Sequence, residues 1–200
     1  MKRMICLTLT ILFLFLTSCE ESSSQNIPSE TAGLTAELIE KKIAKLSNPS
    51  YDEGNNTFIT VLEDLEKGYA GLSEEQKREV KNYDRLLLAR EIYNFDWIKK
   101  HAKQKIRTKV IENSSDPSLL QLKFDHIYLY KFGEKIYVLA ILDYMFPNET
   151  GNYKENSETG YYLFLPNQNG LGYDLGTELD ADTYQKEVTE TTYYRRPQWK

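Results

Sequence analysis

The hydrophobic period of this chain changes once, at Pro117, and that change decides what it can fold into. Upstream of it, apolar residues recur every three or four positions; downstream, they alternate. Leu38, Ile39, Ile43 and Leu46 fall at helical spacing until Asn48-Pro49 stops the run. After a polar loop around Gly54-Asn55-Asn56, residues Phe58, Val61, Leu62, Leu65, Tyr69 and Leu72 line one face of a second helix. Ser73 and Gln76 have the spacing of a capping box, which predicts a short helix to Val80 and a turn near Asn82. The longest pattern begins near Asp84. Its stripe of Leu88, Ile92, Phe95, Ala102, Ile106 and Val110 drifts around the helix, widened by Trp97 and Ile98. Asn113-Ser114-Ser115-Asp116-Pro117 ends it.

Beyond Pro117, residues 123–132 alternate as a strand, and Gly133-Glu134 turns into a second strand over 135–146. Ile136, Val138, Ala140, Leu142 and Tyr144 lie on one face of it, with Tyr137, Leu139, Ile141 and Met145 on the other. Apolar side chains on both faces predict a central strand covered on each side. Residues 148–159 read as a polar loop, 160–165 as a third strand, and 173–200 as less regular, with a short helix near 182–188. Helices followed by strands imply an α+β fold in which N-terminal helices, one of them long, pack on a small antiparallel β-sheet. The helical region spans 34–112, and the β region, 113–200, forms one domain with the long helix.

The N-terminus carries a different kind of signal. Lys2 and Arg3 precede an apolar run from Ile5 to Leu16, about the length of a secretory h-region and short for a bilayer of ~30 Å. Leu16-Thr17-Ser18-Cys19 follows, and in order, spacing and position it resembles the lipobox of bacterial lipoproteins. The resemblance implies a signal peptide over 1–18, cleavage before Cys19, and lipid on the Cys19 thiol. The mature protein is then extracytoplasmic and anchored to the cell membrane or the outer membrane. Two long acyl chains make a stable anchor, since each buried methylene contributes about 0.8 kcal/mol. Cys6 leaves with the leader, so the mature chain has no thiol for a disulfide, a nucleophile or a metal site. Residues 19–33 are serine-rich and lack an apolar period, which reads as a flexible tether.

Tyr69-Ala70-Gly71-Leu72-Ser73-Glu74-Glu75-Gln76-Lys77, continuing through Val80-Lys81-Asn82-Tyr83-Asp84-Arg85-Leu86, resembles a helical module of bacterial surface proteins and lipoproteins. The likeness extends over residues 34–94. It implies a spacer or adhesion-type scaffold without catalytic residues.

Charge narrows the partners. The chain has a formal charge of −5, which becomes two units more negative once Lys2 and Arg3 depart. An acidic mature protein is a poor match for nucleic acid. The 15 Tyr, 8 Phe and 2 Trp, mostly in the second half, suit a folded β-containing domain.

Catalytic signatures are sparse. His101 and His126 are the only histidines, and neither has a partner at metal-ligand spacing. Asp125 and Asp143 are the candidate carboxylate partners of His126, and the ordinary reading is two half-exposed histidine side chains. No Gly-x-Ser-x-Gly, phosphate loop or His-Glu-x-x-His occurs, and no cofactor is implied. Asp174, Glu178, Asp180 and Asp182 read as a solvated acidic loop rather than a calcium site.

Two surface candidates stand out. Lys99, Lys100, Lys103, Lys105, Arg107 and Lys109 form a cationic run in an otherwise acidic chain, suited either to an anionic surface or to a solvated helical face near a helix C-terminus. The tail residues Tyr193, Tyr194, Arg195, Arg196 and Trp199 are types enriched at binding hot spots, and a tail folded back on the sheet is the alternative. The leading expectation is a membrane-anchored, non-catalytic protein that binds a protein or a cell-wall polymer. A hydrolase or modifying enzyme of the cell envelope and an immunity- or inhibitor-type lipoprotein are the other readings.

Overall fold

A computed structural model describes residues 35–200; the expected signal peptide, Cys19 and the expected tether lie outside the described residues. Helix α1 (Ala36–Ala44) starts at Thr35, whose hydroxyl accepts the Leu38 amide at 3.3 Å. It buries Ala36, Ile39 and Ile43, so the stripe runs through Ala36 and leaves Leu38 exposed. Helix α2 (Thr57–Ala70) buries Leu62, Leu65 and Gly68 and turns Val61 outward, against the expected face. The capping box at the start of α3 (Glu74–Glu79) is formed in both directions: the Ser73 hydroxyl accepts the Gln76 amide at 3.3 Å, and the Gln76 side chain accepts the Ser73 amide at 3.0 Å.

Helix α4 (Tyr83–Glu112) is 30 residues long, about 45 Å at 1.5 Å per residue. It belongs to two cores. Leu86 and Ala89 complete a cluster with Ile39, Ile43, Leu62, Leu65, Leu72 and Val80, whereas Phe95, Ile98, Ala102, Ile106 and Val110 pack on the sheet. The expected stripe through Leu88 is therefore shifted, with Leu86 and Ala89 taking the buried positions.

Five strands follow, each antiparallel to its neighbours: β1 (Gln121–Phe132), β2 (Lys135–Pro147), β3 (Tyr153–Pro166), β4 (Tyr173–Leu179) and β5 (Thr192–Tyr193), in the order β4-β3-β2-β1-β5. The fold is α+β. Gly133, at φ 56°, supplies the left-handed residue of the β1–β2 turn. Strand β3 starts well inside the stretch read as a polar loop, with Phe146 opposite Lys154 and Tyr144 opposite Asn156. Strand β4 is also more regular than expected. Between β4 and β5, helix α5 (Ala181–Glu187) is capped by Asp180, whose carboxylate accepts the Thr183 amide at 2.8 Å.

Ion pairs tie the layers. The Arg90 guanidinium of α4 meets the Glu66 carboxylate of α2 with two nitrogens, Nε at 2.8 Å, and both side chains are only 11% exposed. After β5 the chain becomes a strap over the helices. The Tyr194 amide donates to the Leu129 carbonyl at 2.8 Å, and the Tyr194 ring meets Phe95 edge-on at 5.1 Å. Arg196 bonds both Asp96 and the Pro49 carbonyl, and Trp199 packs on the helical cluster.

Candidate binding face of the sheet

The pleat sorts the strand residues onto two faces. Ile127 and Leu129 of β1, Ile136, Val138, Ala140 and Leu142 of β2, and Tyr162 and Phe164 of β3 face α4 and form the core. The opposite face carries Phe124, His126, Tyr128 and Tyr130 of β1, paired through β2 residues Asp143, Ile141, Leu139 and Tyr137 with β3 residues Ser157, Thr159, Tyr161 and Leu163.

Helix α5 closes only one corner of that second face. Tyr184 is buried there, 4.7 Å from the Tyr161 ring and 6.5 Å from Tyr130. The Tyr137 hydroxyl donates to Glu187 of α5 at 2.7 Å; burial, then that bond and the charge of Glu187, push its pKa up to about 12. The expectation that β2 is covered on both sides is thus met only at its Tyr137 end. Elsewhere the face is open. Phe124 is 47% exposed and Tyr128 37%, with the exposed His126 ring between them, 4.4 Å from Phe124 and 6.2 Å from Tyr128. Leu139 and Ile141 lie half-buried beside them. Beyond Phe124 the face dips into a hollow of about 280 Å³. Lys123 and Glu155 form an ion pair at its rim, and Ser157 donates to Asp143 at 2.9 Å.

His126 has neither anticipated carboxylate as a partner. Asp125 points the other way, to Lys103 at 2.8 Å and Arg107 at 3.3 Å, and Asp143 is taken by Ser157. His101 is stacked on Trp97 at 3.9 Å, and its Nδ1 lies 2.9 Å from the Trp97 carbonyl oxygen. The acidic residues near the C-terminus are dispersed: Glu178 of β4 meets Lys109, and Asp180 caps α5. Among the described residues no three His, Cys, Asp or Glu side chains converge as a metal site, and no helix is long and apolar enough to cross a membrane.

The cationic run lies along α4 where it crosses the sheet. Lys100 meets Glu53; Lys103 and Arg107 flank Asp125 of β1; Lys109 reaches Glu158 of β3 and Glu178 of β4. Lys99 and Lys105 are exposed and have no ion-pair partner among the described residues. In the tail, Tyr194, Arg196 and Trp199 are engaged within the chain; Tyr193 pairs with Tyr130 in the sheet and its half-exposed ring meets that of Tyr130 edge-on at 5.7 Å, while Arg195 faces solvent with its guanidinium 5.5 Å from the Tyr193 ring. Phe124, an exposed ring of the open face, was not singled out from the sequence; its i, i+2 spacing from His126 and Tyr128 is the signal that marks it.

No protein-family model, curated protein or solved structure matches the chain.

Proposed function

We propose that this protein is a lipid-anchored, extracytoplasmic binding protein that meets its partner with the open aromatic face of its sheet and performs no chemistry on it. The observation that carries this reading is the asymmetry of the sheet: α4 closes one face, whereas α5 closes only a corner of the other, leaving Phe124, His126 and Tyr128 in a row at the surface. Aromatic rings that keep a polar atom wet supply contact area at small entropic cost, as hot-spot residues do. The lipobox-like Leu16-Thr17-Ser18-Cys19 supports the location, and the serine-rich segment after it suits a spacer between anchor and domain. The partner is a protein or a cell-wall polymer of the envelope.

The test is recovery of bound material from envelopes by the intact protein, compared with a Phe124→Ala/Tyr128→Ala double variant. Loss of the bound material with retention of the fold supports the reading. Undiminished recovery, or turnover of an envelope polymer by the purified protein, overturns it. The anchor is checked separately: Cys19→Ser should abolish lipid labelling and release the protein from membranes.

A further inference from the structure

Strand β1 combines two properties that proteins ordinarily keep apart. It carries Leu122, Phe124, Tyr128 and Phe132, more of the exposed large apolar side chains than any other element. It is also an edge strand over most of its length, because β5 pairs only with Tyr130 and Lys131. The bond from the Tyr194 amide to the Leu129 carbonyl shows that the backbone of Leu129 points away from β2. By the alternation of an antiparallel ladder, Ile127 and Asp125 point the same way. Their N–H and C=O groups have no partner among the described residues. An open edge with apolar side chains is a template for another strand. The opposite edge of the sheet is defended: β4 is short, its register shifts between Leu163 and Phe164, and it bears Asp174 and Glu178.

We infer that this edge pairs with the same edge of a second copy of the chain, antiparallel, with the two-fold axis at His126. A symmetric pair requires a patch that is complementary to itself. The segment Phe124-Asp125-His126-Ile127-Tyr128 has that property, since an aromatic residue stands two positions to each side of His126.

Register follows from charge and space. With the axis at Asp125, two carboxylates would stand directly opposite, which is destabilising. With the axis at Ile127, Asp125 would have to bond Leu129, whose carbonyl already accepts from Tyr194. With the axis at His126, Asp125 and Ile127 of each copy exchange N–H···O bonds with Ile127 and Asp125 of the other. Phe124 then meets Tyr128 of the second copy, and His126 faces itself. Pairing at the edge leaves the open faces uncovered and joins them into one, and it depends neither on the lipid anchor nor on what that face binds.

Cysteine cross-linking reads this register directly. The protein to use is the full chain in detergent, carrying Cys6→Ser and Cys19→Ser, with one cysteine introduced at a time. His126→Cys should give a disulfide dimer under mild oxidation, because non-hydrogen-bonded antiparallel partners have Cα atoms about 4.5 Å apart, within disulfide reach. Phe124→Cys alone should not, since its two copies lie four residues apart along the strands, roughly 14 Å. Tyr128→Cys alone should fail for the same reason, whereas a mixture of the two variants should cross-link. His126→Lys, at an exposed position, should return the light-scattering mass to that of a monomer while the circular-dichroism spectrum stays that of the parent.

Absence of a cross-link at position 126, or equal cross-linking at 124, 126 and 128, overturns the inference. So does a His126→Cys variant that joins only foreign protein from an envelope extract; in that outcome the binding function stands and the second copy falls.

Discussion

The guanidinium of Arg85 lies over the indole of Trp199, 4.1 Å from the ring centroid, while its Nη1 donates to the Lys200 carbonyl at 2.6 Å and its Nη2 to the Leu46 carbonyl at 3.0 Å. One arginine of α4 thus holds both the end of the strap and the loop after α1. Trp199→Ala removes the cation–π contact and apolar packing on the helical cluster, and should cost about 2 kcal/mol. A urea midpoint measured on this variant checks it; an unchanged midpoint would mean the strap adds nothing to stability.

Glu66 and Arg90 form a largely shielded, two-point ion pair between α2 and α4. Removing one partner leaves the other charge without compensation, which costs roughly 3–5 kcal/mol, whereas apolar replacement of both is far milder. Glu66→Leu should therefore be more destabilising than Glu66→Leu/Arg90→Met. The comparison is a double-mutant cycle on unfolding free energies, and additivity of the single effects would refute it.

Alkali should unfold the protein through its tyrosines. Burial raises Tyr137 and Tyr162 from 10.0 to about 12, and raises Tyr184 and Tyr194 further. The unfolded chain releases these protons from about pH 10, while the folded chain holds them. Stability is thus fully present below pH 10 and is lost as pH rises through the folded values. Tyrosinate absorbance followed alongside circular dichroism should show an exposed group ionising first and a second group ionising in step with unfolding. A single reversible titration near pH 10 with an unchanged dichroism spectrum would contradict this.

Asp125 neutralises Lys103 and Arg107 on one flank of α4. Asp125→Asn should release both cations, weaken the fold by about 1–2 kcal/mol, and strengthen retention on an anionic matrix at low salt. Retention that is equal for both proteins at every salt concentration would show that the run is not held back by its carboxylates.

Gly160 lies on the core face opposite Ala140, and a Cβ there would sit 2.6 Å from the Tyr162 hydroxyl oxygen and 2.7 Å from the ring. Gly160→Ala forces the buried Tyr162 ring to shift and should cost roughly 1–3 kcal/mol. The measurement is the thermal midpoint; a variant as stable as the parent would show that the ring has room to yield.

Features with a local cause were legible before the structure. The Ser73–Gln76 box needs only residues three apart, and the alternation from Ile136 to Tyr144 reports burial under α4 directly. The first half of β3 was not legible. The β2–β3 hairpin continues past the core, so nothing selects apolar residues from Lys154 to Ser157, and its strand character rests on backbone pairing with β2. The partners of the cationic run were hidden for a different reason: Glu53, Asp125, Glu158 and Glu178 lie far from it in sequence and meet it only through the fold. For the open face, the alternation of Phe124, His126 and Tyr128 was visible, but not that α5 stops at the corner held by Tyr184.

Helix α4 is a wall of both cores, with Leu86 in one and Val110 in the other. A continuous helix resists bending far more than the loops around it, and packed interiors transmit strain rather than absorb it. The two halves therefore share a spine. A pull on α1 is therefore felt first by α4, the one element through which both clusters are joined.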